Sequence, residues 1–203
     1  MKKWFYVFVV IVGLGIMGCG HWPWEPDNVL VNPGFDESPW DTGWTIEIDT
    51  SSGGDGTYAI AEARSDTGNS LPNCCFLKAN ADENCWPRVT ISQTFDPIKS
   101  DCEIKAKIKY RTSSAGEGTS TREIVMQVYA NNEWMTIWQV RLSDFDSDTS
   151  VTVWTEISTT KPKTLTGISS IRFVVEASAW APEGSGKAGG AELWIDDVFI
   201  GAK

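Results

Sequence analysis

Apolar and polar side chains alternate along most of the chain, with the period of two that is typical of β-strands. The alternation is strictest over 102–110, where the polar positions are held by Glu103, Lys105, Lys107 and Lys109. A strand of this kind covers a core with one face and meets water with the other. The same pattern predicts strands at 89–95, 102–110, 123–129, 134–142, 151–158, 171–178 and 192–200.

The segments between these strands carry turn signals, and none of them keeps a helical stripe for more than a turn or two. The sequence NNE at 131–133 separates two apolar runs as a hairpin turn does, because asparagine tolerates a positive φ. Glycine-rich stretches at 51–56, 113–120 and 182–190 indicate further loops. The chain has no internal repeat and has the length of one domain. We therefore predict an all-β fold, an antiparallel β-sandwich.

The N-terminus has the composition of an export signal. Two lysines precede an apolar run at 4–17, which is too short to span a bilayer and is followed by small residues. The sequence IMGC at 16–19 resembles a bacterial lipobox, in which cleavage exposes the cysteine and a diacylglycerol is attached to it. We predict that 1–19 is a lipoprotein-type signal peptide ending at the lipobox cysteine, Cys19. An ordinary signal peptide is the alternative.

Residues 20–27 contain two prolines and two tryptophans, and this composition predicts a short, proline-stiffened tether. The predicted sandwich then occupies 28–203, which is large enough to bury a core. This organisation predicts an exported protein that is lipid-anchored at the cell envelope or cell surface. The membrane would be reached only through the N-terminal lipid.

The charge balance excludes one class of partner. The chain has 17 basic and 27 acidic residues, and its formal net charge is −10. Binding to phosphate backbones needs a basic face, so nucleic acid and other anionic polymers are poor partners. Neutral glycans remain compatible with this balance.

Four cysteines lie beyond the predicted signal: Cys74, Cys75, Cys85 and Cys102. In an exported chain an even number of cysteines indicates disulfides, and four allow three connectivities. A zinc site is the competing interpretation, but two adjacent cysteines without a nearby histidine fit no common zinc pattern. Alternation places Cys75 and Cys102 on inward faces, which favours the pairs Cys75–Cys102 and Cys74–Cys85.

Catalysis is limited by what the chain lacks. Its one histidine, His21, lies in the predicted tether. A Ser-His-Asp or Cys-His relay and a histidine-ligated catalytic metal are therefore excluded from the predicted domain. A glycosidase needs only two carboxylates about 5–10 Å apart, and that possibility stays open. Nothing in the sequence marks out such a pair.

Two short motifs near the ends of the predicted domain carry a family resemblance. They are NPGFD at 32–36 and WIDDV at 194–198, and each reads as a short strand with a carboxylate beside an apolar residue. The pattern resembles the carbohydrate-binding modules of families 4 and 9, in the galactose-binding-like jelly-roll superfamily. The resemblance spans 28–200 in order. It implies a glycan-binding or scaffolding jelly roll rather than an enzyme.

The resemblance also implies a structural calcium ion between the first and last strands. Its ligands would be Asp36 and Asp196, completed by backbone carbonyls, since calcium prefers several oxygen ligands. Asp36 stands where the family usually has glutamate. The alternative is that both carboxylates only accept hydrogen bonds from turn backbone.

The chain has eleven tryptophans in 203 residues, which is a high content. This content bears on function because aromatic rings can stack on the C–H faces of sugars. Most tryptophans are nevertheless core residues. Trp44, Trp154 and Trp194 lie within strand-like alternation where the resembled family has packing aromatics, so we predict that they are buried.

The strand predicted at 171–178 offers a candidate binding face. Arg172 and Glu176 lie opposite its apolar positions, and Trp180 extends the same face. Tyr129 with Gln127 forms a similar set on another strand, and Trp134 and Trp138 lie in loops or at strand ends. The alternative is that these are exposed hairpin aromatics without a ligand. The candidate carbohydrate-binding residues are Tyr129, Trp134, Trp138, Arg172, Glu176 and Trp180.

Three functions are compatible with these features. The favoured one is a non-catalytic surface lipoprotein that binds a poly- or oligosaccharide through an aromatic-lined face of the sandwich. The second is a structural or adhesive protein-protein scaffold on the same fold, without affinity for sugar. A glycoside hydrolase is the least favoured. No sequence feature separates the first two.

Overall fold

A computed structural model describes the domain and leaves out the first 26 residues. The predicted signal peptide, Cys19 and most of the tether therefore lie outside the described residues. Within the described part of the chain, no helix is long and apolar enough to cross a membrane. The described residues are 27–50, 57–64, 73–82, 84–97, 102–116, 119–142, 154–159, 163–181, 183–184 and 189–202.

In the described residues, eleven strands form two antiparallel sheets that pack face to face. The five-stranded sheet has the order β1-β4-β10-β6-β7, and the six-stranded sheet has the order β2-β3-β11-β5-β8, with β9 also paired to β5. This architecture confirms the predicted antiparallel jelly-roll β-sandwich. The strands are β1 (Thr45–Asp49), β2 (Tyr58–Arg64), β3 (Cys74–Ala81), β4 (Arg88–Phe95), β5 (Cys102–Gly116), β6 (Thr119–Ala130), β7 (Glu133–Arg141), β8 (Thr155–Ser158), β9 (Lys163–Leu165), β10 (Ser170–Trp180) and β11 (Gly189–Ala202).

Alternation explains most of these strands. In β10, Ile171, Phe173 and Val175 are buried against the other sheet, whereas Arg172 and Glu176 face outward. The predicted strands agree with β4, β5, β6, β7, β8, β10 and β11 apart from their ends; residues 151–153 of the predicted β8 lie outside the described residues. Four further strands were not predicted: β1, β2, β3 and β9.

The β6–β7 hairpin turns as the sequence predicts. Asn131 and Asn132 have φ values of 55° and 65°, which is the left-handed pair that a two-residue hairpin turn requires. The turn is shorter than predicted, because Glu133 already begins β7.

The N-terminal segment 28–31 joins both sheets. Val29 donates its backbone N–H to Ile200 of β11 at 2.9 Å. Val31 is held from the other sheet by the side chain of Gln93, which accepts from the Val31 N–H at 2.7 Å and donates to its carbonyl at 3.0 Å. The buried Gln93 amide thus takes the place of a backbone partner.

The opening motif at 32–36 is a turn, so its prediction as a strand is wrong. Asn32 and Phe35 have positive φ values of 47° and 59°, which a strand cannot accommodate. The closing motif does lie in a strand. It contains a β-bulge at which the pairing of β11 with β5 shifts, and Asp197 within it has a φ of 47°.

The predicted disulfide Cys75–Cys102 is wrong. Cys75 pairs with Ile195, and Ile195 pairs with Tyr110 on the other side. Cys102 lies eight residues from Tyr110 along β5, or about 26 Å, whereas a disulfide needs Cα atoms within about 7 Å. Cys75 carries a free, fully buried thiol, and burial raises its pKa well above the usual range, with Cys74 adding to the shift.

The predicted pair Cys74–Cys85 fails for the same reason. Cys74 begins β3, and Cys85 follows the other end of that strand, where its N–H donates to the Asp82 carbonyl at 3.3 Å. The length of β3, about 23 Å between its first and last residues, separates the two cysteines.

Candidate functional site

A groove runs along the outer face of the five-stranded sheet. Its floor comes from β4, β6 and β10, and β1 and β7 contribute its sides. It consists of two adjoining cavities of about 410 Å³ and 620 Å³ that share three charged residues, Arg88, Glu123 and Glu176. The remaining lining residues are mostly polar: Glu47, Asp49, Trp86, Thr90, Ser92, Thr121, Val125, Gln127, Thr136, Gln139, Arg141, Arg172, Val174 and Ser178.

The two glutamates stand side by side at the middle of the groove, because Glu176 and Glu123 are direct partners in the β10–β6 ladder. Glu123 accepts hydrogen bonds from Arg141 and from Gln139, the latter at 3.2 Å. Burial raises the pKa of the half-buried Glu176, while Arg88 nearby opposes that shift. Both groups can accept hydrogen bonds from sugar hydroxyls.

At one end of the groove the lining residue Arg172 contacts an aromatic pair that lies just beyond the cavity. The Arg172 guanidinium lies 4.5 Å from the ring centroid of Trp134 and donates to Gln127 Oε1 from Nε and Nη2, at 3.1 Å and 2.7 Å. Tyr129 pairs with Trp134 across the β6–β7 ladder, and their rings are 5.3 Å apart. These rings lie two residues beyond Gln127 and Thr136 on the same face.

The other end carries a second aromatic pair, Trp86 and Trp180, with ring centroids 6.1 Å apart. Trp86 is the most exposed large apolar side chain of the described residues, at 57 %. Trp180 lies eight residues from Arg172 along β10, which corresponds to about 26 Å. The groove therefore has an aromatic pair at each end and charged groups between them.

Five of the six predicted carbohydrate-binding residues share this face: Tyr129, Trp134, Arg172, Glu176 and Trp180. Trp138 does not, and its prediction is wrong. The β6–β7 pairing skips Ile137, since Gln127 pairs with Thr136 and Met126 pairs with Trp138. This bulge turns Trp138 inward, where it packs against the main core.

Of the lining residues, sequence reasoning placed only Arg172 and Glu176 in the candidate site; those it left out include Trp86, Arg88 and Glu123. Alternation would have been enough to predict Glu123, because it lies an even number of residues from Gln127 and Tyr129 on β6 and so shares their face. Trp86 and Arg88 come from the segment before β4 and the first residue of β4. Their place beside β10 depends on strand order, which alternation does not specify.

On the outer face of the six-stranded sheet, a cluster of aromatic rings around Phe76 is covered by neighbouring side chains. Phe76 is 1 % exposed; Arg64 lies 3.6 Å over its ring on one side, and the Trp194 ring is 4.7 Å away. Trp194 is buried as predicted, but in this outer cluster, and Trp154 is only half-buried beside it. The predicted burial of Trp44 in the main core is confirmed.

Asp36 and Asp196 are brought together around Gly34. A Cβ placed on Gly34 would lie 3.2 Å from Asp36 Oδ2 and 3.8 Å from Asp196 Oδ1, so glycine leaves room between the two carboxylates. Asp196 is fully buried, and its Oδ1 accepts from the Asp197 N–H at 2.8 Å. Asp36 Oδ1 accepts from the Asn73 N–H at 3.1 Å.

This donor set fits a hard cation such as calcium, because both ligands are carboxylate oxygens and one of them is buried. Among the described residues, no group of three or more histidine, cysteine or acidic side chains converges here or elsewhere. Backbone carbonyls or water would complete the coordination. The hydrogen bonds from Asn73 and Asp197 also agree with the alternative, in which the carboxylates hold turn backbone.

Comparisons with known proteins agree on the fold. No protein-family model matches the chain, and no curated protein matches it. A structure of carbohydrate-binding modules from the β-sandwich superfamily matches 78 % of this chain and 56 % of its own, with a TM-score of 0.50 and 8 % identity. The enzymatically active domain of bacteriophage CBA120 tailspike protein 4 matches 87 % of this chain and 21 % of its own, with a TM-score of 0.51 and 11 % identity.

A third structure, TmCBM61 in complex with beta-1,4-galactotriose, matches 87 % of this chain and 99 % of its own, with a TM-score of 0.48 and 17 % identity. At these identities the likeness concerns the fold alone. The chain therefore has the β-sandwich fold that carbohydrate-binding modules of this superfamily share.

Proposed function

We propose that the chain binds a poly- or oligosaccharide along the groove of the five-stranded sheet and does no chemistry on it. The observation that carries this proposal is the polar groove with an aromatic pair at each end, Trp86 with Trp180 and Tyr129 with Trp134. Aromatic rings can stack on the apolar faces of sugar units, and the charged groups between them can bond to hydroxyls. The fold shared with carbohydrate-binding modules supports the proposal.

Lack of turnover is part of the proposal. Glu123 and Glu176 are neighbours, and a retaining glycosidase also uses two carboxylates about 5–5.5 Å apart. In this groove, however, Glu123 is already engaged by Arg141 and Gln139, so it acts as a fixed hydrogen-bond acceptor. Release of reducing sugar from any ligand, lost in Glu123→Gln and Glu176→Gln, would replace the binding function with hydrolysis.

The decisive experiment is a glycan array probed with the soluble domain, residues 28–203. We expect retention of a defined set of glycans by the unmodified domain and loss of that retention in Trp180→Ala. The matched control is Trp138→Phe, which changes a ring on the opposite face of the same sheet. An array without any retained glycan would favour the adhesive scaffold, in which the same aromatic face contacts protein.

We further propose that Cys19 is lipidated and anchors the domain to the cell envelope. The support is the sequence IMGC at 16–19 after a charged start and an apolar run. A diacylglycerol with a further acyl chain holds a protein on a membrane far better than a single chain does. The full-length protein should partition into detergent, and Cys19→Ser should not; equal partitioning of both would remove the anchor from the proposal.

A further inference from the structure

Two described arginines of the groove, Arg88 and Arg172, have no described carboxylate within ion-pair distance. Arg88, however, pairs with Asp49 in the β1–β4 ladder and lies near Glu176. The ladder partners of Arg172 are both uncharged. Arg64 and Arg141 form ion pairs with Glu62 and Glu123. In the part of the chain that the structure describes, no carboxylate oxygen lies within the 4.0 Å ion-pair distance of Arg172. An acidic protein with a net charge of −10 thus keeps a guanidinium without a counter-ion in its groove.

The guanidinium is held in one place by groups that leave part of it available. Two of its five N–H donors, on Nε and Nη2, bond to Gln127 Oε1. The stack on Trp134 at 4.5 Å fixes the plane of the group. Three N–H donors remain, and two of them form the edge between Nη1 and Nη2. That edge matches a carboxylate or a similar oxyanion with two parallel hydrogen bonds.

The direct strand neighbours of Arg172 are uncharged. Its partners in the two ladders are Thr94 and Gln127. Along its own strand, Glu176 is four residues away, or about 13 Å. The Asp96 carboxylate, beyond the end of β4, accepts a hydrogen bond from the Ser170 hydroxyl at 3.3 Å. An anion at Arg172 would therefore meet a guanidinium with no described carboxylate within 4.0 Å, whereas an anion at the middle of the groove would meet two glutamates, Glu123 and Glu176, beside Arg88.

We propose that the groove selects an acidic glycan of a particular kind: a mostly neutral chain with one oxyanion substituent, a carboxylate or a sulfate ester, seated on Arg172 beside Trp134. The inference rests on the proposed glycan-binding function and narrows its ligand class. A polymer charged on every unit is disfavoured, because its next charges would lie in the rest of the groove, where Glu47, Asp49, Glu123 and Glu176 outnumber Arg88 and Arg141. Partial removal of water from the half-buried guanidinium strengthens its bond to an oxyanion.

The test is calorimetric titration of the soluble domain with matched oligosaccharides. The set consists of a neutral xylo-oligosaccharide, the same backbone with one glucuronic acid branch, the same backbone with one sulfate ester, and polygalacturonate of equal length. We expect one of the singly charged ligands to bind about tenfold more tightly than the neutral one, or better, as a charge-assisted hydrogen bond implies. The tighter of the two identifies the substituent, and added salt should reduce the preference.

Variants separate the possible outcomes. Arg172→Gln should bind the neutral and the charged ligands alike, Arg172→Lys should keep part of the preference, and Arg64→Gln on the other sheet should change neither affinity. Equal affinities of the unmodified domain for neutral and singly charged ligands, unaffected by Arg172→Gln, would overturn the inference and leave glycan binding intact. Absence of binding to every ligand of this set and of the array would overturn both. Thermal unfolding of each variant confirms that it is folded.

Discussion

Each outer face of the sandwich carries an arginine stacked on an aromatic ring, but the two arginines differ in whether they have an ion-pair partner among the described residues. On the six-stranded sheet, Arg64 stacks on Phe76 at 3.6 Å and is ion-paired with Glu62 at 2.7 Å. On the five-stranded sheet, Arg172 stacks on Trp134 at 4.5 Å but has no described carboxylate within ion-pair distance. An arginine over an aromatic ring is therefore not a sign of function by itself; the presence or absence of its counter-ion distinguishes the two faces.

The two outer faces also differ in how far their aromatic side chains are exposed to solvent. Phe76 is 1 % exposed and Trp86 is 57 % exposed, although both are aromatic residues outside the main core. A ring that its own sheet covers contributes to stability, whereas a ring that water covers is available to a ligand. Four predictions test this contrast, in order of decreasing expected effect.

The largest effect is expected for Phe76→Ala. Truncating a buried ring costs about 3–5 kcal/mol of the free energy of unfolding, and glycan affinity of the folded fraction should not change. Trp154→Ala in the same cluster should cost less, because Trp154 is only half-buried. Denaturant unfolding with a parallel titration of ligand measures both quantities. A loss of affinity at unchanged stability would assign the ligand to the six-stranded face.

If calcium binds between Asp36 in the 32–36 turn and Asp196 in β11, its removal should act on stability alone, because neither carboxylate lines the groove. A metal that binds only the folded state stabilises it by about 2.7 kcal/mol at 100 times its dissociation constant. Chelation should therefore lower the melting temperature, and Asp36→Asn should remove that response. Glu37→Gln, an exposed neighbour, is the control. An identical melting temperature with chelator and with calcium would leave both carboxylates as hydrogen-bond acceptors.

Trp180→Ala should have the opposite profile from Phe76→Ala. Loss of one ring that contacts the ligand costs roughly 1–3 kcal/mol of binding free energy, or about tenfold in affinity or more. Stability should stay within about 0.5 kcal/mol, as for most changes at the surface. Trp86→Ala should lower the affinity to a similar extent and also leave stability unchanged, because the Trp86 and Trp180 rings are neighbours. Affinity that survives both changes would place the sugar elsewhere on the molecule.

The smallest effect concerns pH. Burial raises the pKa of Glu176, so the folded state holds this proton more tightly than the unfolded state does. That stabilising contribution is complete below the unfolded pKa and is lost as the pH rises through the folded pKa. Glu176→Gln should therefore gain melting temperature relative to the parent as pH increases from acidic to neutral. A constant difference between the two proteins across that range would contradict this account.

Local patterns were enough to predict the fold class and to place five of the six candidate residues on one face, because alternation specifies which side chains share a face. It failed at β3, where Cys74, Cys75, Phe76 and Leu77 are all buried and no alternation is visible. Such a strand is buried on both faces. The face away from the main core is covered by Arg64 and by other residues outside β3.

Two other predictions, the position of Trp138 and the disulfides, were wrong because they depend on how strands pair and not on the alternation within one strand. The inserted residue Ile137 reversed the direction of Trp138, and an inserted residue leaves no mark in the sequence of one strand. The disulfide predictions assumed that inward-facing cysteines meet, but β11 separates β3 from β5 and the register holds Cys75 far from Cys102. Strand order and register arise from contacts between segments that are remote in sequence.

The attachment of segment 28–31 to both sheets also determines how a mechanical load would enter the domain. If the protein is anchored at its N-terminus and holds a glycan in its groove, a pull between them is transmitted through this segment. Because Val29 is bonded to β11 and Val31 is bonded to Gln93 of β4, the force is divided between the two sheets at their first contact with the tether. The groove strand β10 is hydrogen-bonded directly to β4, so the load path from tether to ligand crosses only one further ladder.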